Sequence, residues 1–122
     1  MATKEEVRQF LGDFFQKMRI WEIRFRDDRK KNTQALLNLE LTPLQRVKLI
    51  EALTMPDYSQ GPQADTLNAG APLWIFGKQF KNKMIYIKIS MGSIDKPVIC
   101  ISFHEAEYDM TFPLKATVYE KQ

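Results

Sequence analysis

The sequence predicts an α+β fold, with N-terminal helices packed on a C-terminal antiparallel β-sheet. Three observations carry that prediction. Apolar residues recur at helical spacing through roughly the first 55 positions, behind two capping signatures. Apolar and polar residues alternate from Leu73 onward. The polar spacers between the alternating segments are too short for parallel crossovers, which need a dozen residues or more. The 122 residues, 44% of them hydrophobic, suit one domain. It divides into a mainly helical part (1–55), a loop (56–72) and a sheet part (73–122).

Thr3 followed by Glu6 is a capping-box pattern, and Val7, Phe10, Leu11, Phe14, Phe15 and Met18 then place one apolar stripe on a helix from about Lys4 to Met18. That stripe is core material, because it is the face that must be buried. In "IWEIRF" the period changes to two, with Trp21, Ile23 and Phe25 on one side, which predicts a short extended segment. "RDDRKKN" is a polar turn, and Ala35, Leu36 and Leu39 restore helical spacing. Thr42, Pro43 and Gln45 combine a cap, a proline at the first helical position and a second capping box. Leu44, Val47, Ile50 and Leu53 continue that helix, and Pro56 marks its end.

"PDYSQGPQADTLNAGAP" has no periodicity and is punctuated by Pro56, Gly61, Pro62, Gly70 and Pro72. A structureless connection of this length is uncommon in a compact domain unless it binds something or is disordered. Beyond it, "LWIFGKQF", "MIYIKIS" and "VICISFH" read as a meander of strands, with a further edge strand expected in "MTFPL" or "ATVYEK".

Composition narrows the function classes. No apolar run approaches the roughly 18 residues that span a bilayer, and the first residues lack the apolar core of a signal peptide, so a cytoplasmic protein without membrane contact is expected. Cys100, the single cysteine, stands in an apolar alternating run and is expected to be a small buried hydrophobe. The net charge is only +3, but seven basic residues (Lys17, Arg19, Arg24, Arg26, Arg29, Lys30, Lys31) face three acidic ones between positions 17 and 31. Lys78, Lys81, Lys83 and Lys88 form a second basic group, while "HEAEYD" is acidic. One face could therefore attract phosphate.

The strands bring chemistry together. Ile85, Ile87 and Ile89 share one face of their strand, which sends Tyr86, Lys88 and Ser90 to the other. Ile99, Ile101 and Phe103 likewise leave Val98, Cys100, Ser102 and His104 opposite. Both isoleucine rows are expected against the helices. If the strands pair across "MGSIDKP", matching the apolar faces groups Tyr86, Lys88, Ser102 and His104, the only histidine, on the second face. This set has neither the ligands of a metal site nor a phosphate-cradling glycine motif, so no metal or cofactor is expected. Ser102 and His104, two apart on one strand, also make a poor nucleophile and base, with no acidic residue to orient the imidazole. Cleavage of RNA without metal makes other demands: a base for the 2′-hydroxyl, cations for the phosphorane and an acid for the leaving oxygen. Tyrosine, lysine and histidine supply these.

The order of "LTPLQRVKLIEALTMPDYSQGP", "LWIFGKQFKNKMIYIKI" and "VICISFHEAE" resembles the MqsR family of toxins from type II toxin-antitoxin systems, within the RelE-like fold group. The match covers roughly residues 5 to 110 and is one of spacing: Asp57-Tyr58 after a helix, a loop to Trp74, Tyr86 to Ile89, and Ser102 to His104. The resemblance implies a metal-independent mRNA endoribonuclease held in check by a cognate antitoxin protein. It aligns Tyr86 with the family's strand tyrosine and His104 with the basic residue that closes the last strong strand. Gln60 stands where the family has a loop lysine, and Ile75 where it has a glutamine. The catalytic expectation is thus Tyr86, His104 and Lys88, and the RNA-binding expectation is Lys78, Gln60 and Arg26 with Tyr58 and Trp74 as base-stacking surfaces. The alternative is a non-catalytic module that binds a protein or nucleic acid on the same scaffold.

Overall fold

A computed structural model describes residues 1–66 and 70–116. Helices α1 (Lys4–Trp21), α2 (Lys30–Asn38) and α3 (Pro43–Glu51) and a 3-10 turn (Met55–Asp57) accompany five strands: β1 (Ile23–Phe25), β2 (Tyr58–Gln63), β3 (Leu73–Phe80), β4 (Lys83–Ser90) and β5 (Val98–Glu105). The sheet order is β1-β5-β4-β3-β2. The fold is α+β, with helices packed against a mostly antiparallel sheet; among the described residues the one parallel pairing is β1 with β5.

Both capping boxes form. Thr3 and Glu6 close the start of α1, and Thr42 and Gln45 close that of α3, where Pro43 takes the first helical position. Val7, Phe10, Leu11 and Phe14 bury the predicted face of α1. Against it lie Trp74 and Phe76 of β3, Ile85, Ile87 and Ile89 of β4, and Phe103 of β5. Phe10 stacks on Trp74 with ring centroids 4.4 Å apart. α1 runs one turn beyond the expected Met18, and α3 stops at Glu51 with Leu44 exposed.

Three expectations are corrected. The 56–72 segment is not a structureless loop: Tyr58–Gln63 is an edge strand that pairs antiparallel with β3, with register shifts at Gln60. "MTFPL" forms no strand; it turns at Pro113-Leu114, buries Leu114, and lays the Phe112 ring over Gly77, where an added Cβ would sit 2.7 Å from it. The alternative edge strand in "ATVYEK" falls on residues 116–121, of which 117–121 lie outside the described residues.

The third correction concerns β5. Ile85 to Lys88 pair in register with Glu105 to Ser102, but Ile89 then pairs with Cys100, so Ile101 is an extra residue opposite the Lys88/Ile89 junction. This β-bulge reverses the alternation. Val98 and Cys100 go to the core and Ile99 and Ile101 do not, the reverse of the sequence expectation, while Phe103 stays inward and Ser102 and His104 outward.

Candidate active site on the outer face of the sheet

Two cross-strand rows make the floor of the site. Gly77, Tyr86 and His104 pair directly in one; Ile75, Lys88 and Ser102 pair in the next. The expected grouping of Tyr86, Lys88, Ser102 and His104 on one face is therefore present. The phenol and imidazole rings stack, with centroids 5.2 Å apart and planes 12° from parallel. Lys88 Nζ stands 5.9 Å from the centre of the Tyr86 ring. Tyr108, in the segment that returns after β5, meets the Tyr86 ring edge-on at 6.1 Å.

The wall comes from the start of α2. Arg29, its N-cap, reaches across 73 positions of sequence to donate from Nη1 to Ser102 Oγ at 3.1 Å and to the Ile101 carbonyl at 3.2 Å. Lys31 Nζ donates to both Glu107 carboxylate oxygens at 2.9 Å. These groups enclose a polar cleft of about 180 Å³ lined by Arg29, Lys31, Tyr86, Lys88, Ser102 and His104, with Glu107 and Tyr108 at its margin. The arginines of the "RFRDDRK" turn, Arg29 among them, are phosphate-binding candidates in the sequence, but nothing there singles out Lys31, Glu107 or Tyr108 as site residues. The chain after β5 doubles back over the sheet, which spacing along one strand does not reveal.

The bulge is held by a buried amide. Beyond Cys100, whose carbonyl accepts from Arg26 N–H at 3.0 Å, β5 has no strand on its β1 side among the described residues. Asn32 takes that place. Its Nδ2 donates at 2.9 Å to the carbonyls of Arg26 and Ile101, and its Oδ1 accepts from Phe103 N–H at 3.0 Å. An unpaired backbone group here would be costly, since the Asn32 side chain is buried away from water. Asn32 and Arg29 together set the direction in which Ser102 and His104 leave the strand.

Protonation follows from the partners. His104 Nδ1 lies 2.9 Å from the Glu105 carbonyl, which can only accept, so Nδ1 carries the proton. In the neutral ring Nε2 is then left as the basic atom. Burial pushes the Tyr86 phenol above its ordinary value, with Tyr108 and Glu107 adding to the shift and Arg29 opposing it, so the phenol keeps its proton at neutral pH. Burial and then the nearby Arg29 charge lower the Lys88 ammonium, while Asp65 opposes them. The Lys31 hydrogen bond and charge hold Glu107 below the usual carboxylate range. Among the described residues, no three His, Cys, Asp or Glu side chains come together as a metal-holding group.

The remaining expected site residues lie elsewhere. Lys78 pairs with Ile85 and so faces the helices; its ammonium binds Asp57 Oδ2 and the Ala52 carbonyl, both at 3.1 Å. Tyr58 is wholly buried, donating to the Gly61 carbonyl and accepting from Ala2 N–H at 3.1 Å. Trp74 lies in the core on Phe10. Neither ring presents a face for base stacking; for Tyr58 the surrounding chain carries no strand signal that would place it in the core. Arg26 is engaged bidentately by Asp28 at 3.0 and 2.9 Å and lines a separate cavity of about 480 Å³ with Arg24 and Ile99. Gln60 sits on the edge strand, its Oε1 accepting from Gln63 at 3.0 Å. Ile75, on the outer face beside Lys88, is 2% exposed and offers that row an apolar end.

Comparison with protein-family models, with curated proteins and with solved structures gives no match to the chain. Among the described residues, no helix is long and apolar enough to cross a membrane.

Proposed function

We propose that the protein is a metal-independent mRNA endoribonuclease, the toxin component of a type II toxin-antitoxin system that acts in the cytoplasm and is neutralised by a cognate antitoxin protein. The observation that carries this reading is the direct pairing of Tyr86 with His104, rings stacked, over a polar cleft that also holds the cations of Lys88 and Arg29. The order of residues shared with the MqsR toxins adds the toxin and antitoxin parts of the proposal.

The chemistry is internal transesterification. His104 Nε2 takes the proton of the 2′-hydroxyl, and the 2′-oxygen attacks the adjacent phosphorus. The bond from phosphorus to the 5′-oxygen breaks as that oxygen takes the proton of Tyr86 Oη. The products are a 2′,3′-cyclic phosphate and a 5′-hydroxyl; solvent then returns a proton to Tyr86 and removes one from His104. Lys88 and Arg29 offset the charge that builds on the phosphorane. Arg29 reaches this position because Ser102 and the Ile101 carbonyl hold its guanidinium.

The test is an RNA oligonucleotide incubated with the purified protein in EDTA. Cleavage is expected with 2′,3′-cyclic phosphate ends, an all-deoxy strand should remain whole, and His104→Ala should cut about 10²- to 10⁴-fold more slowly. An intact RNA, or a His104→Ala protein as fast as the parent, overturns the nuclease reading. Binding of RNA without cleavage would leave the interaction module in its place. Expression of the parent, but not of His104→Ala, should arrest growth of a host cell and deplete its transcripts.

A further inference from the structure

A second concavity opens beside the cleft, between α2 and the end of β5. Its volume is about 530 Å³, and it shares Lys31, His104 and Glu107 with the cleft. Its floor is apolar: Ala35 on α2 and Leu39, the residue that caps the helix one turn later, are 4% and 3% exposed. At its rim Gln34 and Asn38, also one turn apart, hydrogen-bond to each other at 3.0 Å. One amide of that pair donates and the other accepts. Whichever way round the two amides are assigned, one NH₂ group and one carbonyl are left over for a ligand.

The charges at the groove balance and give a phosphate no excess of cations. Both oxygens of Glu107 occupy the Lys31 ammonium, and the Glu105 carboxylate lies 3.5 Å from Lys83 on β4. Glu105 and Glu107 thus line the groove together with Lys30 and Lys31, two charges of each sign, whereas Arg29 and Lys88 stand in the cleft. A flat ring with a hydrogen-bonding edge fits better. An apolar floor takes its face, and a donor beside an acceptor answers the alternating edge of a nucleobase. A carboxylate accepts from an exocyclic amino group but repels the carbonyl that uracil presents instead.

We infer that this groove is the nucleobase subsite beside the scissile phosphate, with Gln34 and Asn38 reading the base edge, and that it takes adenine, cytosine or guanine in preference to uracil. The inference rests on the ribonuclease reading for the position of the phosphate, but binding in the groove can be tested without cleavage. In an NMR titration of the parent, cytidine monophosphate should shift the side-chain amide signals of Gln34 and Asn38, and uridine monophosphate should do so at concentrations roughly tenfold higher. Oligonucleotides that differ only at the nucleotide flanking the cut should be cleaved about tenfold slower with uracil there. Gln34→Ala combined with Asn38→Ala should collapse that ratio, whereas His104→Ala should slow every substrate alike. Amide shifts without any cleavage would keep the groove and remove the nuclease. Cleavage whose base preference survives the double substitution, or amide signals that neither nucleotide moves, would overturn the groove.

Discussion

In Val98–Cys100, β5 has β1 on one side and β4 on the other, and Val98 and Cys100 are fully buried. In Ser102–Glu105 it keeps β4 but has lost β1, and side chains from α2 satisfy its outer edge. The first half is therefore held by regular ladders and packing, and every position in it is structural. The second half is held inward by Phe103 and sideways by Asn32 and Arg29, which leaves Ser102 and His104 facing outward. The bulge at Ile101 separates the two regimes. A strand can carry chemistry where it loses a neighbouring strand but keeps a substitute for that strand's hydrogen bonds.

Two adjacent residues of the second half test this division most strongly. Phe103 is wholly buried in the core, so Phe103→Ala should cost about 3–5 kcal/mol in urea unfolding. His104, its neighbour, is half-buried on the outer face, and His104→Ala should change stability by no more than about 0.5 kcal/mol while suppressing activity. Equal losses of stability would erase the distinction between the two faces. The edge gives a smaller effect. Asn32→Ala leaves the Phe103 N–H without its partner inside the fold and the Ile101 carbonyl with the Arg29 guanidinium as its remaining donor, which should cost about 2–3 kcal/mol. Amide exchange should locate the damage: the Phe103 amide should lose protection while amides in Ile85–Ile89 keep theirs. Uniform loss across the sheet would mean that Asn32 supports the whole core and not the bulge.

Much of this fold is written in short-range pattern. The two capping boxes, the α1 stripe and the alternation in β4 and the second half of β5 are local, and local rules recover them. The union of Tyr86, Lys88, Ser102 and His104 is legible for the same reason, since pairing in register from Ile85 to Lys88 needs only period two. Period two cannot show an inserted residue, so the faces of Val98 to Ile101 came out reversed. β2 was illegible because its Gly-Pro-rich chain is held as a strand by β3 and not by its own propensity. That is why Tyr58, a core residue, resembled a surface one. Arg29 belongs to the site only through contacts 72 and 73 positions away, and nothing in its neighbours along the chain announces them.

Cys100 allows the first half of β5 to be examined alone. Burial pushes its thiol from the ordinary 9.0 up to about 12; Arg46 opposes that shift and Asp27 adds to it. Below pH 9 the thiol is neutral in both folded and unfolded chains and has no effect on how stability varies with pH. Above it the unfolded chain loses the proton and the folded chain retains it, so the unfolded state binds fewer protons and is favoured. Stability should therefore fall as pH rises from about 9 towards 12, by at most about 1.4 kcal/mol per unit from this group. Lys88, whose ammonium is lowered by burial, contributes in the opposite direction over its own range, because the unfolded chain there binds more protons. Both proteins in a comparison of the parent with Cys100→Ala share that contribution, so the difference between their slopes isolates the thiol. Urea unfolding at pH 8, 9 and 10 should show a flatter decline for Cys100→Ala, even though the smaller side chain lowers its stability at pH 8. Parallel declines would mean that water reaches the thiol, and that the half of β5 flanked by two strands is no better sealed than the half that carries His104.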